Sequence, residues 1–223
     1  MSRRGWLWLV VWCSGVAPVF AQTAANDPNR WEPALQAFEK QDAESPFAKG
    51  QNVFVGSSSV RLWKLDEAFP EHQCLNRGFG GSQLADVTRY AERLVLPHQP
   101  QVIVLYAGDN DLAAKRTPEQ VRDDYVTFVG KVRAKLPDAK IVWVAIKPSP
   151  KRWAIKDAGL AANALVRTVQ ETDPHSVYVD IWTPFLGDNG EPRKELFVKD
   201  GLHLSPAGYE IWNRLVRPHL VKP

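Results

Sequence analysis

Gly56-Ser57-Ser58-Ser59 follows directly on the apolar run Val53-Phe54-Val55. A serine just past a buried strand stands at the rim of a sheet, where its hydroxyl can meet a substrate. Serines there also simply turn the chain and cap the next helix, so this stretch alone leaves both readings open. A second stretch, Asp200-Gly201-Leu202-His203, places a carboxylate three residues before an imidazole. In a turn, such a carboxylate reaches Nδ1, fixes the ring tautomer and leaves Nε2 as a base. The other reading is an exposed Asp and His near a helix start. Two more stretches are rich in glycine and small polar residues: Asn76 to Gly81, and Gly108-Asp109-Asn110-Asp111. A nucleophilic hydroxyl, a base and an orienting acid form the set used for covalent catalysis at a carbonyl.

The surrounding elements decide whether these stretches meet. Apolar β-prone runs are expected at 52–56, 72–76, 102–107, 140–146 and 177–181. Helical spacing separates them: Trp31, Leu35 and Phe38; Leu84, Val87, Ala91 and Leu94 after a capping Ser82; Leu160, Leu165 and Val169; and Ile211, Leu215 and Val216 after Ser205-Pro206. Thr117-Pro118-Glu119-Gln120 is a capping box with proline in the first turn, opening a helix that buries Val121, Tyr125, Phe128 and Val132. Residues 42–50 read as a loop. Alternating strands and helices predict an α/β fold: one three-layer α/β/α domain around a flavodoxin-like, parallel five-stranded sheet. In such sheets ligands gather beyond the carboxyl ends of the strands, and all four polar stretches fall on that side.

Composition narrows the rest. The chain has 223 residues, 44% of them hydrophobic, enough for one domain with a large core. Residues 1–21 read as a secretory signal: Arg3 and Arg4, an apolar core from Trp6 to Val16, and Val19-Phe20-Ala21 before the expected cut. The apolar run is short and broken by Gly15 and Pro18, which argues against a stable membrane span after cleavage. Residues 22–50 form a linker and a helix, and 51–223 the catalytic-type domain. Formal charge is +3; removing Arg3 and Arg4 (28 − 2 = 26 basic against 25 acidic) leaves +1, so no nucleic-acid partner is implied. Cys74 is the one cysteine left in the mature chain and reads as a core residue. No His-Glu-x-x-His or Cys-x-x-Cys pair occurs, so neither metal nor cofactor is expected. His72, His98, His175 and His219 lack a partner pattern and read as structural or exposed. Val60 excludes a Gly-x-Ser-x-Gly elbow, Arg61 a Ser-x-x-Lys site, and Gln83 a dinucleotide fingerprint.

Taken in order and spacing, the four stretches resemble the blocks of the SGNH hydrolases, the GDSL-type esterases, over roughly Val53 to the last helix. The spacing from Gly56 to Trp63 looks most like the branch of platelet-activating-factor acetylhydrolase catalytic subunits. The resemblance implies Ser58 as nucleophile, His203 as base and Asp200 as its partner. It also implies an oxyanion hole from the backbone N–H groups of Ser58 and Gly81 and the Asn110 side chain. One departure stands out: Ser57 occupies the position usually held by aspartate in Gly-Asp-Ser. The implied activity is hydrolysis of carboxylic esters, acetyl or short-chain, on a small molecule or polysaccharide, by an exported (periplasmic or extracellular) enzyme. Transfer of acetyl to a glycan, and a non-catalytic carbohydrate-binding protein on the same fold, are the alternatives. In the loop from Lys147 to Trp153, Trp153 either stacks on a sugar ring or packs internally. Lys151 and Arg152 face either an anionic substrate or solvent.

Overall fold

In the computed structural model, which describes residues 29–223, five parallel strands form one sheet in the order β2-β1-β3-β4-β5. The strands are β1 (Asn52–Gly56), β2 (Cys74–Gly78), β3 (Val102–Tyr106), β4 (Lys140–Val144) and β5 (Ser176–Val179). Every residue of β1 and β3 is buried, as expected of central strands covered on both faces. Alternation sorts their side chains between two cores. Val53, Val55, Ile103 and Leu105 face one layer; Phe54, Val102, Val104 and Tyr106 face the other. The first layer contains helices α1 (Glu32–Glu44), α4 (Leu84–Arg89), α5 (Ala91–Leu94), α7 (Pro118–Arg133) and α8 (Lys156–Gln170). The second contains the short α2 (Ser58–Arg61) and α3 (Leu65–Ala68) and the last helix, α9 (Pro206–Val216). After β1 the chain turns toward the second layer, through Val60; after β3 it turns toward the first, through Leu112 and Val121. That divergence opens a crevice between the carboxyl ends of β1 and β3.

Several elements differ from their sequence expectation. Strand β2 lies two residues later than 72–76 and includes Arg77, which is fully buried. Its guanidinium pairs with Asp42 and lies over the Phe38 ring at 4.9 Å. Asp42 belongs to α1, which extends into the stretch expected to be a loop. A buried ion pair thus does what apolar contact does elsewhere, and a strand pattern cannot reveal it. The cap of α4 is Gln83, reciprocated by Asp86, and Ser82 instead reaches the Gly56 carbonyl at 3.3 Å. Helix α8 turns a different face inward: Leu160 is 45% exposed, while Gly159, Ala162, Asn163 and Val166 are buried. The cause is the open main chain of Ile146 past β4. Asn163 accepts from its N–H at 2.8 Å and donates to its carbonyl at 2.9 Å. In α9 the largest buried residue is Trp212, between Tyr106 and Trp63 at 4.7 and 5.1 Å. Truncating a fully buried tryptophan costs about 3–5 kcal/mol.

Cys74 is half-buried on the edge strand. Burial, with Asp66 and Glu71 adding to it, pushes its thiol up to about 12, so it is protonated and unreactive at neutral pH. Among the described residues no helix is long and apolar enough to cross a membrane, and no three His, Cys, Asp or Glu side chains form a metal cluster. The proposed signal segment, 1–21, lies outside the described residues.

Candidate active site

Ser58 begins α2 directly beyond β1, with Ser57 as the N-cap. The turn is held from below by the Ser57 N–H, which donates to the Tyr106 carbonyl of β3 at 3.0 Å. Gly56 makes that approach possible: its φ is +147°, and a Cβ there would lie 1.9 Å from the Tyr106 oxygen. From the side, Asn76 Nδ2 donates to the carbonyls of Val60 (2.8 Å) and Trp63 (3.1 Å). From α9, Tyr209 donates its hydroxyl proton to the Ser59 carbonyl at 2.8 Å. Strand, neighbouring strand and last helix therefore fix one rigid turn. Ser57 and Ser59 are each 1% exposed, while Ser58 reaches the surface cleft.

His203 Nε2 lies 2.9 Å from Ser58 Oγ, and its Nδ1 lies 2.6 Å from Asp200 Oδ2. The other carboxylate oxygen, Oδ1, accepts the N–H groups of Leu202 and His203 at 2.8 and 2.9 Å. Burial raises the Asp200 carboxyl, but those two amides and the imidazole outweigh it and hold it at about 2. An ionised carboxylate only accepts, so the proton of the neutral ring sits on Nδ1 and Nε2 is left to accept from the Ser58 hydroxyl. Ser58, Arg61, Gly80, Gly81, Asn110, Leu202 and His203 line one open cleft. Neither the Ser58 N–H nor the Gly81 N–H has an acceptor among the described residues. Gly81 has φ +81°, a backbone turn that a side chain resists. Asn110, in the first turn of α6 (Asp109–Ala113), donates from Nδ2 to the Ser82 carbonyl at 2.9 Å, leaving its second amide hydrogen unassigned. Ser58, His203, Asp200, Gly81 and Asn110 are thus brought together. Trp153 is not: it stacks on Trp182 at 6.2 Å beside an adjoining small cavity, outside the Ser58 cleft.

The model of the GDSL-like Lipase/Acylhydrolase family matches residues 55–211, from β1 into α9. The chain belongs to that family. Ester hydrolysis is accordingly its class of reaction. A candidate platelet activating factor from Streptococcus pneumonia superposes with a TM-score of 0.80 at 20% identity, covering 92% of this chain and 100% of the other. A GDSL-like lipase from Bacteroides thetaiotaomicron gives a TM-score of 0.71 at 20% identity, over 83% and 96%. A variant of an acetyl xylan esterase from Geobacillus stearothermophilus gives 0.62 at 15%, over 77% and 95%. At these identities the likeness speaks for the fold. No curated protein matches the chain.

Sequence reasoning missed part of what surrounds the cleft of this GDSL-like acylhydrolase. Lys147, Asp109 and Tyr106 form a buried polar group beneath α2. Lys147 Nζ lies 2.9 Å from Asp109 Oδ2, 2.8 Å from the Tyr106 hydroxyl and 3.2 Å from Ser59 Oγ. The only available signal was a lysine directly after the apolar run of β4. Asp111, two residues beyond Asp109, is also buried. Both its oxygens accept from the Leu84 N–H at 3.1 Å, which ties the start of α4 to the loop after β3. Burial raises its carboxyl to about 6, against the pull of that amide and of Arg116. A carboxyl whose folded value lies above its unfolded one favours the native state while protonated. Its contribution therefore falls as pH rises from about 4 to about 6. Asp111→Asn keeps an acceptor for Leu84 without the charge. The variant's melting temperature relative to wild type should rise between pH 4 and 6, then level off. A constant difference across that range would show that Asp111 does not titrate there.

Proposed function

We propose that this acylhydrolase is an exported enzyme that removes acetyl or other short acyl groups from small-molecule or polysaccharide esters through an acyl-enzyme on Ser58. The observation that carries the reading is the continuous Asp200–His203–Ser58 hydrogen-bond chain, at 2.6 and 2.9 Å, opening onto a cleft with free N–H donors. In this reading Ser58 Oγ attacks the ester carbonyl while His203 Nε2 takes its proton. Asp200 stabilises the imidazolium. The oxyanion settles among the Ser58 and Gly81 N–H groups and the second amide hydrogen of Asn110. His203 then passes its proton to the leaving alcohol, and a water deprotonated by the same nitrogen releases the acid.

The short acyl preference rests on the cleft wall. Among the described residues that line the open cleft, Leu202 supplies the one apolar side chain larger than a methyl group, which gives a long acyl chain little to pack against. Export rests on the composition of residues 1–21. Purified mature protein should cleave acetyl esters with a higher kcat/KM than butyryl or longer ones, and should release acetate from acetylated xylan or pectin. A preference that grows with chain length overturns the acyl assignment. N-terminal sequencing of secreted protein should begin at Gln22; material retaining Met1 in a membrane fraction overturns the export assignment.

A further inference from the structure

Asn110 carries two hydrogen-bonding ends, and both have fixed partners. Its Oδ1 accepts from Arg152 Nη2 at 2.7 Å, and its Nδ2 donates to the Ser82 carbonyl at 2.9 Å. A guanidinium can only donate and a carbonyl can only accept, so these neighbours allow one of the two amide orientations. In that orientation the NH₂ group keeps one hydrogen beyond its bond to Ser82, and Asn110 lines the same cleft as Ser58 and Gly81. With the amide reversed, a carbonyl oxygen would face the developing oxyanion and repel it.

Arg152 is itself anchored from behind. Its Nη1 lies 2.9 Å from Asp109 Oδ2, the oxygen that also receives Lys147. Asp109 and Lys147 are 6% and 4% exposed. Burial disfavours the Asp109 charge, yet the two cations beside it outweigh burial and keep the carboxyl below its ordinary value. The loop that supplies Arg152 also touches the other half of the site, since the Lys151 N–H donates to the Gly201 carbonyl at 3.0 Å between Asp200 and His203.

We infer that Arg152 is a positioning residue: its guanidinium, paired with the Asp109 carboxylate that Lys147 holds in place, locks the Asn110 amide with its NH₂ toward the oxyanion. This rests on the oxyanion-hole reading proposed above. It also replaces the expectation that Arg152 faces substrate or solvent, because Nη2 donates to Asn110 and Nη1 stands at ion-pair distance from Asp109.

The test is a double-mutant cycle with Asn110→Ala, read as kcat and KM on an acetyl ester. Losing one charged hydrogen bond that acts through Asn110 should make Arg152→Ala lower kcat roughly 10–100-fold, with KM changed less than about twofold. In the Asn110→Ala background the same Arg152 change should cost less than about twofold. Methylguanidinium should restore part of the turnover of Arg152→Ala and none of the turnover of the double variant. Arg152→Lys keeps a cation beside Asp109 but lacks the planar fork, so it serves the same cycle if Arg152→Ala does not fold. Equal losses in both backgrounds, or an unchanged kcat, overturn the inference while the oxyanion role of Asn110 stands. An Asn110→Ala enzyme with full turnover overturns both.

Discussion

Ser58→Ala should reduce turnover by about 10⁵–10⁶-fold, because the triad acts as a unit and only the weak catalysis supplied by the oxyanion donors and substrate binding is left. Fluorophosphonate should label Ser58 alone in the wild-type protein. Three serines stand in a row, so the outcome tests placement as well as chemistry. Ser57 Oγ is buried without a hydrogen-bond partner, and Ser59 Oγ is buried against Lys147 Nζ at 3.2 Å. Both are 1% exposed, so neither meets a reagent in the cleft. Ser58 alone has Nε2 of His203 within 2.9 Å to take its proton as the phosphorus–oxygen bond forms and fluoride departs. Ser57→Ala leaves no unpaired group behind and should cost little. Ser59→Ala removes one of three contacts to the buried Lys147 ammonium and should lower stability by about 1–3 kcal/mol while sparing the label. Peptide mapping of the labelled protein decides the matter. Label on either neighbour moves the nucleophile; an unlabelled, folded protein removes it.

What the sequence revealed, and what it hid, follows from the range of the forces involved. Central strands are covered on both faces, so β1, β3 and β4 stand out as near-continuous apolar runs within a residue or two of their true ends. The site stretches were legible for a related reason. A serine after a strand, a positive-φ glycine and an Asp-x-x-His turn each need particular residue types over a few positions, and a parallel sheet collects strand ends on one edge. Contacts between distant charged residues leave no such trace. Arg77 in β2 looked like the end of a strand because its partner Asp42 lies 35 residues earlier. Arg152 could be read only as facing an anionic substrate or solvent, because its partners come from the helix after β3, 42 residues away at Asn110. The inward face of α8 was misread because its polar Asn163 satisfies a main chain, and no apolar periodicity reports that demand.

Asn110→Ala should lower kcat by about 10²–10³-fold and leave KM nearly unchanged, since the lost donor serves the oxyanion more than the neutral ester. The alternative role for Asn110 is purely structural, because its Nδ2 already bonds Ser82 at 2.9 Å. Asn110→Asp separates the two. It matches asparagine in shape and keeps an acceptor for Arg152 Nη2, now with a charge, so the brace from the loop survives. It has no hydrogen to give, and it sets an acceptor against the Ser82 carbonyl and a negative charge beside the site of the oxyanion. If Asn110 acts by donating, aspartate should be at least as inactive as alanine despite the better geometric match. Thermal unfolding measured beside kcat separates a loss of turnover from a loss of fold, since aspartate keeps the Arg152 contact but opposes the Ser82 carbonyl. An Asn110→Asp enzyme that keeps most of its turnover would show that shape and anchoring matter here and that the oxyanion is held by the Ser58 and Gly81 N–H groups alone.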